Sequence, residues 1–318
     1  MTTPLKTLLH QTVRDHPQLL ELLEHVARAW HSFAAPNALD DDVDEFGRDL
    51  GFMERVRPLF DFMYDTYWRV QARGVHHIPA KGRALIVANH SGTLAYDGAM
   101  IHMAVFKHHR QHRMTRFLVE DLIQYLPFIG TFFNRVGGVR ACPENAERLL
   151  KHDELLTVFP EGVKGISKLY KDRYRLSRFG RGGVVRLAIR TRTPIIPCAV
   201  VGAEEIHPIL WKTHLFAKLF GLPFLPITPT FPWLGPMGLI PLPSQWVMIF
   251  GKPIRYDRLP QQLLQDPLRI HTLTEELRQT IQQMVGEGLT QRRALVAAAG
   301  DARASTVSRV QRQAGRTR

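Results

Sequence analysis

Residues 83 to 90 read RALIVANH, a short unbroken apolar run closed by an amide and an imidazole. Leu85, Ile86 and Val87 favour a buried strand, and the run is too short to stand as a helix of its own. Whatever the chain folds into must bury this segment and turn it sharply at Asn89. His90 then sits where the strand ends, on a turn begun by Ser91 and Gly92, a common place for chemistry. Asp97 follows in the same segment and can turn back toward His90. Further apolar runs come at intervals, over 117–120, 155–159, 195–201 and 246–250. Helical patterns lie between several of them, as over 98–109 and 143–152. Strands alternating with helices imply an α/β layered domain.

Two helical patterns precede the first strand. Residues 3 to 34 carry Leu5, Leu8, Leu9, Val13, Leu19, Leu20, Leu23 and Val26 at roughly helical spacing, and Pro17 splits them, with a second helix starting there. The acidic stretch from Asp40 to Glu45 reads as a loop into another helix over 53–70, rich in aromatics. These aromatics read as core packing, with a helix in a membrane interface as the alternative. Residues 70 to 82 form a strand and turn in which His76 and His77 face opposite sides. The organisation expected is an N-terminal helical region over 1–69, an α/β domain over 70–286, and a basic tail over 287–318. The tail has seven arginines and one acid from Gly288 on, and is expected to be disordered or weakly helical.

Charge narrows the partners. There are 42 Lys and Arg against 29 Asp and Glu, a net charge of +13. That balance suits nucleic acid, a membrane surface or a phosphorylated substrate. No helix-turn-helix, zinc-finger or RNP signal supports nucleic acid. The two cysteines, Cys142 and Cys198, argue against a disulfide framework and fit a reducing cytoplasm. The first residues do not read as a signal peptide, because Lys6, His10, Arg14 and Asp15 break their apolar character. From Leu219 to Gly251 there is no charged residue, but seven prolines between Pro223 and Pro243 exclude a regular transmembrane helix. The stretch is either a buried, proline-stiffened insertion or an apolar loop that meets a membrane or an acyl chain.

Four blocks carry chemistry-bearing residues: NHSGTLAYDG (89–98), GTFFNRVGG (130–138), FPEGVKG (159–165) and TPIIPCAVVG (193–202). A neutral His can take a proton from a hydroxyl, and a carboxylate on its other nitrogen fixes the tautomer. Taken alone, His90 and Asp97 are as readily a turn cap and a helix cap. FPEG ends an apolar run and delivers a carboxylate and a tight turn to one sheet edge; alone it is an ordinary surface turn. Ser91 is no nucleophile candidate, since the G-x-S-x-G elbow is absent. GRGG (180–183) lacks the spacing of a nucleotide loop. KHHRQHR (107–113) has three histidines, but its cations would repel a metal and it reads as a basic helix end. Ten Lys or Arg and one acid lie between Val163 and Ala203. They form a solvated basic face or a surface for anionic headgroups or donor phosphates.

Together and in this order, the four blocks resemble the glycerolipid acyltransferase superfamily, the lysophosphatidic acid acyltransferase-like enzymes, with GKPI (251–254) also similar. The resemblance covers about residues 70 to 256. It implies a central mixed sheet flanked by helices, and makes 70–286 the acyltransferase domain. His90 would be the general base, oriented by Asp97. Arg135, Glu161, Gly162 and Lys164 would bind the acceptor. The donor would be acyl-coenzyme A or an acyl carrier protein thioester, with no bound cofactor, no metal and no acyl-enzyme. The acceptor would be a lysophospholipid, foremost 1-acylglycerol 3-phosphate, in phospholipid synthesis at the cytoplasmic face of a membrane, held peripherally by an anionic surface. A neutral glyceride or alcohol acceptor, or a non-catalytic membrane-binding protein of the same fold, remain alternatives. One departure is plain: six residues separate His90 from Asp97, where the family has four. Either the turn is longer by two residues or Asp97 is not the partner.

Overall fold

The computed structural model of the chain describes residues 17–34, 43–91, 96–121, 128–213, 217 and 224–314. Helix α1 (Pro17–Ala34) starts at the expected proline and packs near α2 (Leu50–Phe62), whose last turn loosens into a π-helical turn over Met63–Tyr67. Residues 3–16, where the earlier apolar spacing falls, lie outside the described residues. The strands of the main sheet are β1 (Gln71–Arg73), β2 (Ala84–Ala88), β3 (Thr115–Val119), β4 (Gly138–Arg140), β5 (Leu155–Val158), β6 (Ile195–Val201) and β9 (Val247–Phe250). A separate two-stranded ribbon pairs β7 (Trp211–Thr213) with β8 (Leu225–Ile227). The intervening helices are α3 (Tyr96–His108), α4 (Ile129–Arg135), α5 (Pro143–Lys151), the single turn α6 (Val163–Ile166) and α7 (Gly183–Thr191). The last helix, α8, runs from Pro267 to Ala314.

The main sheet has the order β1-β9-β6-β2-β5-β3-β4. All its pairings are parallel except β6 with β9, so the sheet is mixed. Side chains on a strand alternate between faces, and the two cores follow that period. Ala84, Ile86 and Ala88 of β2 join Ile196, Cys198 and Val200 of β6 under α1–α3 and the π-helical turn. Leu85 and Val87 join Ile195, Ala199 and Val201 under α5, α7 and α8. Both faces of β2 are therefore covered, which is why its sequence is a continuous apolar run rather than an alternating one.

Two expectations differ from the structure. His76 and His77 lie in a 3₁₀ turn, not a strand, with ring centroids 4.3 Å apart. The His77 Nδ1 is 2.8 Å from the Phe250 carbonyl oxygen. The tail continues α8 as helix to Ala314, and residues 289–299 hold only good helix formers apart from Thr290 and Val296. GRGG turns onto α8: Gly182, with φ +80°, lies so close to Ile270 and Thr274 that a Cβ there would collide.

Candidate active site

Sheet register brings the first and third blocks together. Val87 of β2 is level with Val158 of β5, so the third residue after each of these two, His90 and Glu161, emerges at the same edge. This is the carboxyl end of parallel strands, where open α/β sheets place ligands. Asn89 secures the exit of β2. Its Nδ2 donates to the Val200 carbonyl at 2.9 Å, and the Val200 N–H donates to its Oδ1 at 2.7 Å, extending the β2–β6 pairing through a side chain.

His90 Nδ1 lies 2.7 Å from Asp97 Oδ2. Asp97 is fully buried in the first turn of α3 and also accepts the N–H groups of Ser91 and Gly98, each at 2.9 Å. With three donors directed at it, the carboxylate is the acceptor, so Nδ1 carries the proton and Nε2 presents its lone pair. The longer spacing therefore does not separate the pair; residues 92–95 between them lie outside the described residues. His90 keeps 12% of its side chain exposed, and no protein group bonds Nε2 among the described residues. The Phe159 ring stacks on the imidazole at 4.3 Å and 20°.

Glu161 acts from below. Its Oε1 accepts the backbone N–H of His90 at 2.9 Å, and its Oε2 accepts that of Ser177 at 2.6 Å. Lys168 Nζ stands 3.4 Å from the same Oε2 and 3.0 Å from Glu204 Oε1. Burial pushes the Glu204 carboxyl above the usual range despite that cation. Gly162 has φ +54°, a conformation that lets the chain reverse into α6. Gly165 of α6 packs directly under the histidine: a Cβ on it would lie 2.7 Å from His90 Cβ and 2.9 Å from Glu161 Cβ.

Arg135, assigned to the acceptor by the resemblance, is engaged with α2. At the end of α4 its Nε and Nη2 donate to Asp49 Oδ2 at 3.0 and 2.7 Å, and its guanidinium lies 4.1 Å over the Phe52 ring. It thus ties α4 to the N-terminus of α2. Lys164 is exposed on α6 and lines a cleft of about 440 Å³ with Ser167, Lys168, Arg175, Ser177 and Lys212. The basic run divides: Arg186, Arg190 and Arg192 bond Leu264, Glu147 and the 257–259 segment, while Lys164, Lys168 and Arg175 line the cleft. The three histidines of KHHRQHR serve separate partners. His108 meets Tyr64 Oη, His109 the Ile78 carbonyl and His112 the Phe106 carbonyl. Among the described residues no cluster of His, Cys, Asp or Glu could hold a metal.

Asn89, Gly165, Lys168, Glu204 and Lys212 went unassigned in the sequence. Asn89 and Gly165 stand inside quoted blocks, and their neighbours there are the only signal. Lys168 is one of ten cations in a row, and nothing local marks it as the buried one. Lys212 comes from the separate ribbon.

The acyltransferase family matches residues 69–201, a span that contains His90, Asp97, Arg135 and Glu161. The chain belongs to this family. It is 48% identical over 255 residues to Uncharacterized protein Rv0502 of Mycobacterium tuberculosis, covering 80% of this chain and 71% of the relative. It is 44% identical over 282 residues to Uncharacterized protein ML2427 of Mycobacterium leprae, covering 88% and 77%. A more distant relative is the chicken DGAT1/2-independent enzyme synthesizing storage lipids, 24% identical over 200 residues, 61% of this chain and 56% of that one. Among solved structures, the 1-acyl-sn-glycerophosphate acyltransferase PlsC of Thermotoga maritima aligns with a TM-score of 0.49 and 16% identity, over 87% of this chain and 98% of that chain.

Proposed function

We propose that this acyltransferase moves a fatty acyl group from a thioester donor, acyl-coenzyme A or acyl carrier protein, to the hydroxyl of a lysophospholipid, foremost 1-acylglycerol 3-phosphate, while held peripherally on the cytoplasmic face of an anionic membrane. The observation that carries the reading is the His90–Asp97 pair, with a buried, triply bonded carboxylate on one imidazole nitrogen and, among the described residues, no partner on the other. Nε2 removes the proton of the acceptor hydroxyl as its oxygen attacks the thioester carbonyl. The C–O bond forms, the C–S bond breaks, and the proton passes from the imidazolium to the departing thiolate. Asp97 stabilises the imidazolium between those steps. Glu161 holds the His90 backbone in place, and Gly162 turns the chain that carries Lys164 to the acceptor side. The acceptor role of Arg135 belongs to the same proposal, with its guanidinium held in place by Asp49.

A second reading, a neutral glyceride acceptor, is favoured by the name of the chicken relative, an enzyme synthesizing storage lipids. Purified protein assayed with labelled acyl-coenzyme A against lysophosphatidate, larger lysophospholipids and monoacylglycerol separates the two. His90→Ala should lower the transfer rate roughly 10²–10⁴-fold. Near-normal turnover by a folded His90→Ala protein would overturn the reading.

A further inference from the structure

Lys164 lies on α6, Arg175 in the loop after the 3₁₀ turn Tyr170–Asp172, and Lys212 on β7, three separate segments that meet at the 440 Å³ cleft. None of the three forms an ion pair among the described residues, and Asp172 is the single acid in the lining. Lys168, the fourth cation, is already committed. Its side chain is 9% exposed, it faces Glu161 and Glu204, and it donates to the Arg175 carbonyl at 3.3 Å. Lys212 also rests 5.5 Å over the Phe224 ring, which aims it. Converging cations that outnumber their carboxylates repel one another, and an anion bound among them removes that cost. The cleft is within the size range of small-molecule sites. Ser167 and Ser177 line it with hydroxyls that can donate further hydrogen bonds.

The cleft is linked to the histidine by two short paths, one of packing and one of hydrogen bonds. Lys164 precedes Gly165, which touches His90, and Ser177 donates its N–H to the carboxylate that holds the His90 backbone. An anion seated there is next to the transfer site without occupying it. Arg135, by contrast, already faces Asp49.

We propose that Lys164, Arg175 and Lys212 form a phosphoryl-recognition site that anchors one substrate of the transfer at His90. It deepens the acyl-transfer reading and rests on it. A phosphomonoester dianion suits two ammonium groups and one guanidinium fork. The same chemistry is offered by an acceptor's phosphate headgroup and by the phosphates of a nucleotide-bearing donor.

The test crosses two acceptors, lysophosphatidate and monoacylglycerol, with two donors, oleoyl-coenzyme A and the oleoyl thioester of N-acetylcysteamine, which has no phosphate. Arg175→Ala, Lys212→Ala and the charge reversal Lys212→Glu are compared with the parent chain. Loss of one charge-assisted contact should raise KM for the phosphate-bearing substrate about tenfold more than for its phosphate-free counterpart. If the difference follows the acceptor, the site holds a headgroup; if it follows the donor, the site holds nucleotide phosphates. Equal changes across all four combinations, or none, overturn the proposal. Calorimetry with glycerol 3-phosphate and with coenzyme A gives a readout independent of turnover. If no combination supports transfer, the acyl-transfer reading fails, and the cleft stands only if one of these two binds and Lys212→Glu abolishes it. Absence of both from the parent chain overturns the site itself.

Discussion

A methyl group is the smallest change that tests the positioning of the base. Gly165 has an ordinary helical place in α6, so alanine there costs nothing in backbone conformation. Its Cβ would nevertheless press on His90 Cβ, Glu161 Cβ and, at 3.1 Å, the His90 carbonyl oxygen. None of these is the free end of a flexible side chain, so the strand exit itself must move. Shifts approaching an ångström at a reacting group cost on the order of 10² in rate. Gly165→Ala should therefore lower kcat about 100-fold while thermal melting shows a folded protein. Unchanged kcat would mean that the close approach does not position His90. Serine at 165 should be worse than alanine, because it adds a hydroxyl to the same collision.

The segment from Val43 into α2 shows how an element is held to the domain by charge. Asp44 pairs with the buried Arg116, Glu45 with Arg148, and Asp49 with Arg135. Asp49 also caps α2, accepting the Phe52 N–H at 2.7 Å. Burial alone would raise its pKa, but the Phe52 N–H and the Arg135 guanidinium outweigh that and hold it below the usual carboxylate range. A depressed folded pKa adds stability that is present above the unfolded value, near 4, and is lost as pH falls through the folded one. Asp49→Ala should cost roughly 2–4 kcal/mol at neutral pH, a cap plus a charge-assisted bond. In urea unfolding the gap to the parent chain should narrow below about pH 4; a pH-independent gap would show that the charge is immaterial. Nothing in the acidic run of the sequence names these partners, since Arg116 and Arg135 lie far along the chain. The same limit explains which other elements were legible. Strands buried on both faces, such as β2 and β6, announce themselves as continuous apolar runs. The three-residue strands β4, β7 and β8 are too short to show any period. Helix α8 is amphipathic only where it crosses the sheet, at Ile270, Leu273, Leu277, Ile281 and Val285, and its later basic residues read as a tail. The His90–Glu161 juxtaposition needed the β2–β5 register, which blocks in linear order do not contain.

Across the whole molecule, the charge-free stretch is buried in part and exposed in part. Trp246, Val247 and Phe250 are buried in or beside the sheet, while Trp233 is 72% exposed, along with Leu234 and Met237. Trp211 of the ribbon is 65% exposed, beside the Lys212 that lines the cleft. Among the described residues no helix is long and apolar enough to cross a membrane. Exposed apolar side chains together with cations unpaired among the described residues supply the two signals that stable surface binding requires. The protein should sediment with anionic vesicles and partly release at high salt, since exposed charges are screened beyond about 8 Å at physiological ionic strength. Trp211→Asp with Trp233→Asp should remove the salt-resistant fraction; its persistence would show that these side chains do not touch lipid. The sheet order has a different consequence, one of time. β9 lies between β1 and β6 and is antiparallel to β6, although β6 ends about 50 residues earlier in the chain. At 5–20 residues per second a ribosome needs roughly 3–10 s to supply those residues. For that interval the newborn β6 has an open edge of unpaired N–H and C=O groups beside the forming catalytic strand, and β1 has no neighbour at all. A cell that makes this protein must shield that edge for seconds on every chain it synthesises.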